Sequence, residues 1–98
     1  MVVGGPTEMR TIAAKAAVVR PLVPHYGGSA LGIIAHLHLV ASWQNAPYLE
    51  ILHDPPVGDY RHNFAELLDA PIVATDGQVA VPSGPGLGVT IDPAAVVA

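Results

Sequence analysis

Residues 18–42, VVRPLVPHYGGSALGIIAHLHLVAS, decide the fold. The run 18–23 is β-branched and apolar apart from Arg20 and Pro21, a strand composition weakened by its proline. Pro24 ends it. His25, Tyr26, Gly27 and Gly28 form the turn that follows, and Ser29 is a good cap for a helix over 30–42. That helix is apolar nearly all round, through Leu31, Ile33, Ile34, Leu37, Leu39 and Val40. A surface helix of a free-standing domain carries a polar face, so this one is expected to be buried.

Upstream, Gly4, Gly5 and Pro6 form a turn after Val2 and Val3, which read as the end of a strand. Thr7 is the expected cap of an earlier helix, with Glu8 in its first turn where the helix dipole favours it. Met9, Ile12, Ala13, Ala16 and Ala17 then recur at helical spacing. Downstream, residues 48–52 read as a second short strand entered through Pro47. The order helix, strand, helix, strand predicts parallel strands joined by crossover helices. Two strands cannot make a stable parallel sheet, so the fold class is α/β and part of a larger structure. From Asp54 the chain turns irregular. A short helix is expected over 63–69, with Phe64, Leu67 and Leu68 inward. A turn is expected at Asp76 and Gly77, a Gly/Pro arm over 82–88, and a helical turn opening at Asp92 and Pro93. The organisation is one unit over 1–98, with layered α/β over 1–53 and a C-terminal arm over 54–98.

Composition narrows the function. Hydrophobic residues make up 51% of the 98 residues and charged ones 12%, which excludes a disordered tail and a long coiled coil. Arg10, Lys15, Arg20 and Arg61 are scattered and the formal charge is -4, so no patch could neutralise a phosphate backbone or an anionic membrane. No nucleic acid and no membrane are expected as partners. Cysteine is absent, which rules out disulfides, thiolate catalysis and Cys-ligated zinc. Without a basic stub and apolar run at the start, a cytoplasmic setting is expected.

Several residues could carry chemistry. His25 follows a strand and precedes a helix, the position where βα loops of a barrel gather functional groups. It suits proton abstraction, or it is a structural histidine bonded to a loop carbonyl. Glu50 lies within or at the end of the next strand, where a carboxylate needs a partner. It could donate a hydrogen bond when protonated, ligate a metal or complete an ion pair. Gly27 and Gly28 could offer amide N–H groups to an anion at a helix start, or simply make a tight turn. His36 and His38 are two apart and do not share a helix face, so they cannot reach one metal. His53, Asp54 and His62 make no defined zinc spacing. Tyr26, Trp43 and Tyr48 do not interleave with basic residues as a base-stacking surface would.

Four stretches together resemble a known family. They are Gly4–Gly5–Pro6–Thr7–Glu8 before an alanine-rich helix, Val23–Pro24–His25, Tyr48–Leu49–Glu50, and the arm running from Asp76–Gly77 through Pro85–Gly86–Leu87–Gly88–Val89 to Ile91–Asp92. The chain is similar to the C-terminal part of the mandelate racemase/muconate lactonizing enzymes of the enolase superfamily. The resemblance implies the last two strands of an enolase-type TIM barrel with their helices, plus the irregular arm. It implies that residues 18–23 are the seventh barrel strand and 48–52 the eighth.

It further implies a magnesium-dependent enzyme that abstracts the proton next to a carboxylate, an acid-sugar dehydratase or racemase. His25 matches the family's histidine base, and Glu50 its acid that hydrogen-bonds a substrate carboxylate oxygen. The substrate would be a carboxylate-bearing sugar acid or hydroxy acid, the kind of anion that the amides of Gly27 and Gly28 could meet at the helix start. The metal carboxylates and the aspartate that pairs with the histidine would lie before Met1. Magnesium therefore belongs to the parent enzyme, with none expected on these residues and no appreciable turnover from them alone. The partners expected are the remaining barrel and capping domain, or self-association. The alternative is a non-catalytic oligomerising or interaction remnant of that fold.

Overall fold

The computed structural model describes residues 3–97. The strand end expected at Val2 and Val3 falls partly outside them, and Val3 itself lies in a turn. The chain divides into two compact units, Met1–Ile51 and Leu52–Ala98.

In the first unit, helix α1 (Pro6–Ala16) begins two residues earlier than Thr7 would allow as a cap. Gly5 is the N-cap and Pro6 opens the first turn. A proline there loses nothing, because its missing N–H would have had no helical partner. Glu8 in the first turn and Lys15 in the last oppose the helix dipole. Met9 and Ala13 are buried, whereas Ile12, expected inward, stays partly exposed.

Helix α2 (Ala30–Ala41) follows Ser29, which has the extended conformation of an N-cap but makes no capping bond through its side chain. Ala30, Ile33, Ile34, His36, Leu37 and Val40 are buried, so the expected burial of this helix holds. α1 packs against α2, and Asn45 ties the unit together. Its side-chain amide donates to the carbonyl of Ala13 at 3.3 Å and to that of Arg20 at 3.5 Å. Its backbone carbonyl accepts the Leu22 N–H at 2.8 Å.

The segments 18–23 and 48–52 join no ladder among the described residues. Val18, Val19 and Tyr48 are 84%, 73% and 73% exposed. The cause is physical: a barrel strand is held by neighbours on both sides, and strand-forming side chains alone do not supply them.

In the second unit, β1 (His53–Asp54) pairs antiparallel with β2 (Gly58–Asp59), with His53 opposite Asp59 and Asp54 opposite Gly58. Helix α3 (Tyr60–Leu67) starts three residues before the expected 63–69 because Asp59 caps it, its carboxylate accepting the Arg61 N–H at 3.0 Å. Phe64 and Leu68 are buried and Leu67 is half-buried, while Tyr60 packs edge-on against Phe64. The arm returns to this helix through a bridge between Leu68 and Ile91 and an Asp92 N–H bond to the Leu67 carbonyl at 2.9 Å. Helix α4 (Pro93–Val97) opens where expected, with the Asp92 carboxylate accepting the Ala94 N–H. At the expected hairpin turn, Asp76 and Gly77 have φ of 50° and 75°, the paired left-handed conformation that two-residue turns demand.

Asp59 also takes both oxygens to the Arg61 guanidinium, with the shortest contact at 2.6 Å. That hydrogen bonding holds the Asp59 carboxyl well below the usual carboxylate range and raises Arg61. Because the folded state favours the ionised form, the contribution is fully present above the ordinary Asp value of about 3.9. It fades only as pH falls through the lower folded value. Exchange protection of the Arg61 amide is therefore expected to persist at about pH 4 and to decline only well below it. In Asp59→Ala, which removes the capping oxygen, the acid-induced part of that decline should be missing and α3 should fray at its start even at neutral pH. Amide exchange followed across an acid series checks both expectations.

Candidate functional site

The end of the 18–24 segment and the segment around residue 50 bring His25 and Glu50 together. The imidazole Nδ1 lies 2.5 Å from Glu50 Oε1. An ionised carboxylate only accepts, so Nδ1–H is the donor and the neutral ring keeps its lone pair on Nε2. The side chains are 87% and 41% exposed. A pair this solvated adds little to stability. Its effect is on which ring nitrogen carries the proton and which one faces outward.

His25 stands beside an apolar cavity of about 390 Å³ whose walls include Met9, Ile12, Leu22, Pro24 and His36. Behind it the Tyr26 ring stacks on the His36 imidazole with centroids 4.6 Å apart. His36 is 2% exposed and donates Nδ1–H to the Gly32 carbonyl at 2.7 Å, which satisfies the buried imidazole. A β-carbon on Gly28 or on Gly32 would overlap the Tyr26 ring, so both glycines are used to let that ring in close.

This tyrosine seat was not foreseen. Its one visible trace in the sequence is Gly32, a glycine inside an otherwise strongly helical run. Such a glycine costs about 1 kcal/mol relative to alanine and so suggests a packing reason.

The other candidates fall elsewhere. Gly27 has open space around its α-carbon. His38 is half-buried on α2. In the second unit, His53 lies 3.5 Å from Asp59 and edge-on to Tyr60, and His62 pairs with Glu66 one helical turn along. Among the described residues no three His, Asp or Glu side chains come together as a metal-holding group. Among them, too, no helix is long and apolar enough to cross a membrane.

The chain is similar to several known proteins. The family model described as enolase C-terminal domain-like matches residues 1–95. Arabinonate dehydratase of Saccharolobus solfataricus is 34% identical over 90 residues, which are 90% of this chain and 22% of that protein. A solved enolase of the mandelate racemase subgroup from Agrobacterium tumefaciens superposes with a TM-score of 0.74 at 30% identity, over 96% of this chain and 25% of its own. An enolase known from environmental sequencing of the Sargasso Sea superposes with a TM-score of 0.75 at 33% identity, over 96% of this chain and 24% of its own. The chain thus spans about a quarter of the length of these relatives. It has the α/β character of the C-terminal part of their barrel, and it belongs to the mandelate racemase/muconate lactonizing family of the enolase superfamily.

Proposed function

We propose that this chain supplies the proton-transfer side of an acid-sugar dehydratase or a related racemase, and that it works within a complete barrel. The observation that carries the reading is the 2.5 Å contact between His25 Nδ1 and Glu50 Oε1. It leaves Nε2 as an exposed base on the rim residue that the family likeness assigns to proton abstraction. The C–H bond next to the substrate carboxylate breaks, its proton goes to His25 Nε2, and its electron pair moves toward the carboxylate. In the dehydratase case the β-hydroxyl then departs, taking a proton from His25 and leaving as water.

Glu50 can serve the substrate as well. In its protonated form it donates Oε2–H to a carboxylate oxygen where negative charge develops, and in the complete barrel the aspartate that the family likeness pairs with the histidine would take over the His25 Nδ1–H. Gly27 and Gly28 are the proposed amide subsite beside it. Magnesium, which the family likeness implies, finds no ligand group among the described residues.

The test is a chimera in which this chain replaces the matching 22% of arabinonate dehydratase. The chimera is expected to exchange the α-proton of arabinonate in deuterium oxide. Absence of exchange from a folded chimera would overturn the proposal.

The exposure of Val18, Val19 and Tyr48 favours a second reading, an interaction remnant that covers these side chains by self-association. A folded, inactive chimera together with an oligomeric isolated chain in sedimentation would select that reading.

A further inference from the structure

We infer that Tyr26 is the positioning residue for His25, an assignment that rests on the proposed proton-transfer role of that histidine. The His25 side chain is 87% exposed, so packing around the imidazole cannot hold it. What fixes it is the backbone on either side. Pro24 before it is buried. Tyr26 after it is held on three sides: by the His36 ring 4.6 Å away, by Gly28 and by Gly32.

The seat is itself rigid. His36 is buried and locked to the Gly32 carbonyl at 2.7 Å, and both residues belong to α2. A rotation of the Tyr26 ring would push into helix backbone, which cannot yield as a surface side chain can. The two residues share a peptide plane, so anchoring Tyr26 limits the backbone torsions that aim His25 at Glu50. Among the described residues no hydrogen bond of the Tyr26 hydroxyl takes part in this seat, so its effect comes from the ring.

The test reads the His25 imidazole directly in the full chain, labelled with nitrogen-15, at about pH 8, above the ordinary imidazole range. The unchanged chain is expected to show mainly the Nδ1–H form, held by Glu50. Tyr26→Phe should keep that form. Tyr26→Ala should shift His25 toward the Nε2–H form and abolish the close contact between the two side chains. Gly28→Ala lies outside α2 and leaves the helix sequence intact. It should act like Tyr26→Ala by forcing the ring out, and it decides the matter if Tyr26→Ala unfolds the unit.

A purely structural tyrosine would lower stability without altering the His25 ring form in molecules that remain folded. An unchanged ring form in folded Tyr26→Ala or Gly28→Ala would overturn the assignment, as would an unchanged chain lacking the Nδ1–H form. The outcome is separable from that of the proton-transfer reading. If the ring form responds to Tyr26 but His25→Asn leaves exchange in the chimera untouched, the catalytic role falls and the positioning stands.

Discussion

Replacing His25 by asparagine in the dehydratase chimera is expected to lower α-proton exchange by about 10²–10⁴-fold, the range that a positioned acid–base group contributes. The substitution is chosen for what it keeps. The asparagine amide N–H can still reach toward Glu50, and its volume is close to that of the imidazole. What it cannot do is accept a proton from carbon and return it near neutral pH. The loss should therefore fall on kcat, with KM close to that of the unchanged chimera. A variant that exchanges as fast as the parent would remove His25 from the reaction.

Glu50 gives a graded companion to that result. Glu50→Gln retains an acceptor for the His25 ring and a donor for a carboxylate oxygen, so a modest loss is expected. Glu50→Leu removes both and should cost about 10²–10³-fold, as the loss of one donor to a developing oxyanion does. Because the two side chains touch at 2.5 Å, the double variant should fall short of the sum of the single effects.

How much of this was legible in the sequence depended on how local the cause was. The long apolar run of α2 gave its position within one residue, since the run itself and the serine just before it are both local signals. α3 was placed three residues late because its start is set by Asp59, a capping residue that reaches forward to Arg61 and looks like any loop aspartate. The segments 18–23 and 48–52 have strand composition, yet a ladder needs neighbours that composition does not provide.

The site shows the same division. His25 and Glu50 are candidates by strand-end position and family likeness, while their contact spans 25 residues and has no local pattern. The Tyr26 seat depends on the direction of a ring, and periodicity contains no information about that. Gly32 is the one readable mark, and an isolated glycine in a helix has several causes.

Ile34→Ala is expected to be the most damaging single truncation in the first unit. Ile34 is fully buried on α2, at 0% exposure. Removing its outer carbons forfeits their transfer energy and leaves a cavity that a helix packed on another helix closes only in part, at a cost of about 2–5 kcal/mol. The total stability of a unit the size of Met1–Ile51 is roughly 3–8 kcal/mol at ordinary values per residue, so the loss rivals the whole. Ile12→Ala is the comparison, because its side chain is already 38% exposed and has less to lose. Trp43 is the sole tryptophan and lies in this unit, which makes its fluorescence in urea a local reporter. The Ile34 variant should show a large fall in midpoint, or no folded baseline at all, and the Ile12 variant a small shift with the same slope. Equal shifts would mean that α2 is not the buried support described here. That support is also what seats Tyr26, since Gly32 and His36 flank Ile34 on the same helix. A partly stable Ile34→Ala chain should therefore lose the Nδ1–H form of His25 as α2 loosens, before the rest of the unit melts.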